Sequence, residues 1–450
     1  AKKFLTKGDK VKFTVKFKGR EMQHTDLGKE LMNKILILFI ALTLIKLVIE
    51  TLLEILNKSS YEDHQKQNHA IKTLGLKDSE FKKSLLYARD KFKLSFIQNW
   101  LSEIILLSFL AFGGYGIIDN YALDIVGKQN PISQGLIFFL FLFILALFLS
   151  LPFAYYSTFF IEEKHGFNKQ TRTNFFLDQS KEIIISICLS AIILSAILSI
   201  MQTGDKWWIL AWVAYTIFIF LTMWLYPVLL APLFNKFTPL EEGELKDSIN
   251  KLSKKIGFET DGIFIMDASK RSSHGNAYFT GILKKKRIVL FDTLTKSLNH
   301  KEIVAVLAHE LGHFKLHHIR QKLLTHIILT GLSFYILSLF IKTQSFYTAF
   351  GFTDINNHVA LIIFSLWLGL INFIFTPLKT WLSRKDEFAA DKFAIENISS
   401  GSQLINALIK LSKSNSSMPL VHPLYSRVYY SHPPLCERIT AIQSGEMSAG

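Results

Sequence analysis

The hydrophobic positions of this chain fall into three successive patterns. At the start, Val11, Phe13, Val15 and Phe17 alternate with lysines and Thr14, the period-two signature of a half-buried basic strand. A turn at Gly19 and a short polar helix follow, to about residue 33. Apolar runs long enough to cross ~30 Å of hydrocarbon then come in series. They cover residues 35–56, 95–118, 133–156, 182–201, 207–230, 323–341 and 359–378, which makes seven. Between the fifth and sixth the pattern is that of a soluble domain. Residues 241–256 read as an amphipathic helix, 262–266 and 287–291 as strands, and 299–318 as a second helix. Asn299 and Glu302 have capping-box spacing, and Ile303, Val304, Val306, Leu307, Leu311 and Phe314 recur at helical intervals. The expected fold class is therefore an all-α membrane protein of seven transmembrane helices carrying an α+β soluble part. Its expected domains are an appended strand–helix fragment (1–33), helices one to five (34–230), the soluble segment (231–322), helices six and seven (323–378) and a polar tail (379–450).

Composition agrees with a lipid bilayer as the chain's first partner. Half of the 450 residues are hydrophobic and 39 are phenylalanine. The net charge of +15 then reads as orientation, and no nucleic-acid partner is expected. Loops 57–94, 157–181 and 231–322 and the tail from 379 are rich in Lys and Arg, whereas those around Lys128, Lys206 and 343–358 are nearly free of them. The basic side is the cytoplasmic one. The lysines of residues 1–33 would lie on the opposite side, against the rule, as expected of a segment foreign to the rest. Lys46, Glu50, Glu54 and Glu103 fall inside spans, which favours a chamber over a solid bundle, with snorkelling as the equal alternative for Glu54 and Glu103. Cys188 and Cys436 are the only cysteines, so a metal must be held by His and carboxylate.

The chemistry centres on His309-Glu310-Leu311-Gly312-His313. On a helix His309 and His313 share one face, the spacing two imidazoles need to grip one ion, and Glu310 projects where it can take a proton from water. A third ligand is expected just after the seventh span. Glu387 and Asp391 lie one helical turn apart, so one can bind the metal while the other orients a ligand imidazole, with Ala389 and Ala390 small enough for close packing. Two His and a carboxylate with a fourth position open make a hydrolytic zinc site. A strand beside the metal helix could take an extended peptide by edge pairing. Asn276, in the turn-rich stretch 274–281 ahead of the basic run Lys284–Arg287, reads equally well as ordinary turn chemistry. His432 reads as a surface histidine beside a proline turn, and His317 and His318 as solvated. Arg438 reads as binding a substrate carboxylate or pairing with a core acid, outside the site.

Longer stretches carry a resemblance. IEEKHGFNKQT (Ile161 to Thr171), YPVLLAPLFNKFTPLEEGEL (Tyr226 to Leu245), KRSSHGNAYFTG (Lys270 to Gly281), AHELGHFKLHH (Ala308 to His318), SRKDEFAAD (Ser383 to Asp391) and YSHPPLCERI (Tyr430 to Ile439) resemble the Ste24-type CAAX prenyl proteases. Those are integral-membrane zinc peptidases of the M48 class, and the likeness covers about residues 36–440. It implies one Zn2+ per chain on His309, His313 and Glu387, with Glu310 as general base. It further implies Asp391 behind a ligand, Asn276 and His432 at the substrate, and a chamber enclosed by the seven helices. His432 is then placed to stabilise the oxyanion. The implied partner is a peptide or protein substrate, C-terminal or lipidated. The expected location is a bacterial inner membrane, with the basic, catalytic side cytoplasmic. A quality-control metalloprotease of the same zinc class, or a transporter with a chance HExxH, are the alternatives. Residues 8–35 resemble the start of the C-terminal domain of bacterial translation initiation factor three, without the strands that would complete it.

Overall fold

The computed structural model describes residues 25–127, 129–280 and 286–445, with backbone alone for 25–33. The alternating stretch at 11–18 lies outside the described residues, as do Gly281, Lys284 and Lys285. In chain order come α1 (Thr25–Ser60), α2 (Asp78–Ala111), α3 (Pro131–Tyr156), α4 (Arg172–Ile200) and α5 (Trp207–Leu225). The soluble part follows, with β1 (Phe237–Pro239), α6 (Glu244–Ile256), β2 (Ile263–Met266), β3 (Ala277–Thr280), β4 (Arg287–Phe291) and α7 (His300–Lys315). Next are α8 (His318–Phe340), α9 (Asn357–Asn397), α10 (Gly401–Ser414), α11 (Pro423–Tyr429) and α12 (Leu435–Ser444). Seven of these helices, α1 to α5, α8 and α9, are long and apolar enough to cross a membrane.

Three boundaries depart from the hydropathy pattern. The apolar run 95–118 is broken, because α2 stops at Ala111 and a separate helix, Gly114–Val126, begins after Gly113, whose φ of 66° only glycine adopts without strain. The metal helix α7 ends at Lys315 and not at His318, because His317 takes φ 61° and reverses the chain into α8. Most consequential is α9. Its 41 residues extend ~60 Å at 1.5 Å each, twice the hydrocarbon thickness, so the seventh span and the stretch with Glu387 and Asp391 form one continuous rod.

The sheet has the order β1-β2-β4-β3. β2 and β4 are parallel, β1 and β3 join antiparallel on either side, and β3 is an edge. Where a turn-rich stretch was expected at 274–281, residues Ala277–Thr280 therefore form a strand; β1 was not foreseen either. α7 packs between this sheet and α9. The core there joins Ile249 and Leu252 of α6, Ile288 and Leu290 of β4, Ile303, Leu307 and Leu311 of α7 and Ala394 of α9. Each fully buried Ile or Leu contributes ~1.5–3 kcal/mol. Gly312 and Ala390 let α7 and α9 touch: a Cβ on Gly312 would stand 3.2 Å from the Ala390 Cα and carbonyl oxygen. The sequence expectation of small residues at this crossing holds for Ala390, with Gly312 as its counterpart.

Three of the four charges inside the spans pair with one another. Lys46 Nζ lies 2.5 Å from Glu103 Oε1 and 3.5 Å from Glu50 Oε2, so Glu103 meets a partner helix. Glu54 accepts from Asn99 Nδ2 at 3.1 Å. It lines a cavity of about 780 Å³, together with Tyr61, Tyr425, Tyr430 and His432. Glu54 and Asn57 of α1 thus border an open cleft at the soluble domain's end of the bundle.

Candidate active site

The capping box that starts α7 is formed. Asn299 Oδ1 accepts from the Glu302 N–H at 3.0 Å, and Glu302 returns the bond to the Asn299 N–H at 2.9 Å. With the helix phase fixed, His309 and His313 point at Glu387 on α9. His309 Nε2 lies 3.3 Å from His313 Nε2 and 3.4 Å from Glu387 Oε2, and His313 Nε2 lies 3.3 Å from Glu387 Oε1. Two donors each ~2.0–2.1 Å from one ion at the tetrahedral angle stand ~3.3–3.4 Å apart, so the triangle has the size of a zinc coordination face. Glu387 Oε2 is buried with no hydrogen-bond partner. Such an oxygen destabilises the fold by ~1–3 kcal/mol or more until a cation satisfies it. The three residues fit a metal.

The far side of each imidazole is also held. His309 Nδ1 lies 2.8 Å from Asp391 Oδ1, and the fully buried Asp391 accepts two bonds from Arg438, Nε to Oδ2 at 2.8 Å and Nη2 to Oδ1 at 2.6 Å. The proton on His309 Nδ1 thereby leaves Nε2 free for a metal. Burial opposes charge on His309, but its bonds to Asp391 and Glu387 outweigh that and push the imidazole up to about 9, so an incoming metal displaces a proton there. His313 Nδ1 lies 2.9 Å from Nδ1 of His318, which is buried, while His317 is exposed. The expectation that both follow the helix as solvated residues thus fails for His318.

Glu310 is half-buried beside the triad. Burial pushes its carboxyl up from the ordinary value, partly offset by the neighbouring His309 and His313. That direction suits a group which must hold a proton in transit. His432 Nε2 lies 3.3 Å from Glu387 Oε1 while the imidazole stays 63% exposed, so it faces both the metal ligands and open space. What carries it there is Arg384 on α9, whose Nη1 donates to the carbonyls of Ser426, Arg427 and Tyr430 at 3.0, 3.1 and 3.2 Å. Asn276 stands apart. It is exposed at the head of β3, its Oδ1 accepts the Ala277 N–H at 2.8 Å, and no hydrogen bond or ion pair joins it to the triad.

Comparison with known proteins agrees with this geometry. Residues 60–236 match the family described as CAAX prenyl protease N-terminal, five membrane helices, and residues 239–446 match peptidase family M48. CAAX prenyl protease 1 homologs of Arabidopsis thaliana and Homo sapiens are 38% and 36% identical to this chain. Each alignment covers 82% of it, with 88% and 87% of the relative. The chain belongs to the CAAX prenyl protease family. The crystal structure of S. mikatae Ste24p superposes with a TM-score of 0.83 at 33% identity, over 90% of this chain and 98% of that one. This CAAX prenyl protease relative is thus a multi-pass membrane protease whose family implies a metal. Residues 1–42 separately match the C-terminal domain of translation initiation factor IF-3. Of the two roles open to Arg438 in the sequence, pairing with a core acid is the one observed, and because that acid is Asp391 the arginine belongs to the site after all; Arg384 and the buried His318 were not foreseen there. The HPPLCER and RKDE strings contained both arginines, but only their partners 42 to 47 residues away give them roles.

Proposed function

We propose that this chain is a zinc-dependent endopeptidase that cuts peptides at or near a prenylated C-terminus, as the names of its relatives describe. The observation that carries the reading is the His309–His313–Glu387 triangle with Glu310 beside it. A zinc ion held by these three would supply a water acidified to about pKa 7 and a polarised carbonyl. Glu310 takes the proton from the attacking water and carries it to the leaving amine. His432 donates an N–H to the carbonyl oxygen as charge develops on it. The edge of β3 pairs with the extended substrate backbone, and Asn276 at its head binds the next peptide group. Asp391 keeps His309 oriented throughout. Loops 57–94, 157–181 and 231–322 and the tail carry the basic residues, which supports a cytoplasmic catalytic side.

The test is hydrolysis of a prenylated peptide by the purified chain. Chelation should abolish cleavage, one zinc per chain should restore it, and the unprenylated peptide should be cut more slowly. Undiminished cleavage after the metal has been removed would overturn the zinc reading, and equal rates on both peptides the prenyl one.

We further propose that residues 1–33 take no part in the reaction. The strand pattern at 11–18 has no partner strands within that segment to bury its apolar face, and two or fewer strands are marginal alone. Deleting residues up to Asn33 should leave zinc content unchanged and peptidase rate within about twofold, under ~0.5 kcal/mol. A larger loss of rate would give the segment a role.

A further inference from the structure

We infer that His318 is the positioning residue of the second imidazole ligand, with the Asp386 carboxylate facing its other ring nitrogen, so that metal retention depends on how α8 docks against α9. This rests on the metal reading of His309, His313 and Glu387.

Two imidazole nitrogens 2.9 Å apart must be one donor and one acceptor, since two lone pairs or two protons at that separation repel. His313 needs an unprotonated Nε2 to face the metal, so its proton sits on Nδ1 and His318 Nδ1 accepts it. A neutral His318 then carries its own proton on Nε2, which lies 3.7 Å from Asp386 Oδ1 on α9. Asp386 is fixed from the other side by Lys322, one turn along α8, at 3.5 Å. The order is Asp386, His318, His313, drawn from three helices.

This contact could not form on an unbroken helix. Five residues on, a side chain has rotated ~140° away from His313 and risen ~7.5 Å. The left-handed turn at His317, φ 61°, is what returns His318 to His313, and for a residue other than glycine that conformation costs ~1–2 kcal/mol. Once returned, His318 is 6% exposed, with its ring centroid 5.2 Å from that of His313. The two ligands are thus held unlike each other. Behind His309 stands a carboxylate already neutralised by Arg438, behind His313 a neutral imidazole whose place is set by membrane-spanning helices.

The test measures zinc stoichiometry and affinity, by competition with a chelator, on the full chain in detergent. It compares wild type, His318→Ala, His318→Gln and Asp386→Asn, together with thermal melting of each metal-free protein. We expect His318→Ala to weaken zinc by ~10- to 100-fold, the range of outer-shell partners. His318→Gln, whose amide oxygen can still accept from His313, should recover most of that loss, and Asp386→Asn should fall between. A residue that serves only packing would lower metal-free melting in both His318 variants and leave affinity alone, which overturns the inference. If His318→Ala fails to fold, the Gln and Asn variants decide it, and wild-type affinity in Asp386→Asn together with no recovery in His318→Gln rejects the relay. A wild-type chain that binds no zinc would instead overturn the metal reading itself.

Discussion

Glu310→Gln should keep its zinc and lose peptidase activity by about 10²–10⁴-fold, the usual contribution of a positioned general base. The substitution is nearly isosteric and Glu310 is not one of the three ligand residues, so nothing that holds the metal is removed. The amide can still hydrogen-bond the water. It cannot accept the water's proton, and the two carboxylates of α9 at the site are already engaged. Glu387 is engaged by His309 and His313, and Asp391 by His309 and Arg438. Burial also makes Glu310 a stronger base than an exposed glutamate, which increases what the amide forfeits. Metal analysis beside a hydrolysis assay decides the matter: full activity in a zinc-loaded variant would take Glu310 out of the mechanism.

What was legible in the sequence was local. The spacing of His309 and His313, the Asn299–Glu302 cap and the one-turn separation of Glu387 and Asp391 are properties of a single helix, and helical periodicity reports them. What escaped was pairing across long separations. Arg438 reaches Asp391 from 47 residues away and Arg384 reaches Tyr430 from 46, and nothing in their neighbours marks those partners. The continuity of α9 escaped for another reason. Hydropathy falls after Leu378, yet Arg384, Glu387, Phe388, Ala390, Asp391 and Ala394 stay buried, so the helix leaves its apolar stretch but continues to be packed. Burial by protein and burial by lipid call for different side chains, and a hydropathy window sees only the second. The strand at Ala277–Thr280 was hidden because Asn276 and Gly275 ahead of it are ordinary turn residues. His318 was hidden by the helical period itself, which places it on the wrong face unless His317 turns the chain.

Glu387→Ala should remove the metal altogether, with activity falling at least as far as in Glu310→Gln. Glu387 is the one anion among the three ligands, so its loss leaves two imidazoles and an open half-shell. Replacement from nearby is blocked by structure. Asp391 is locked by two bonds to Arg438, and swinging it to the metal would strip His309 of its acceptor. Asp386 lies on the far side of His318, paired with Lys322. Because zinc binds the folded chain alone, wild type should melt higher with zinc than without it, by the equivalent of ~2.7 kcal/mol at a hundredfold excess over the dissociation constant. The variant should lose that increment while keeping its helical content. Zinc analysis and paired melts with and without metal test both statements. A variant that retains one zinc per chain would mean that a fourth group in this site ligates, and the assignment of Glu387 would then have to be withdrawn.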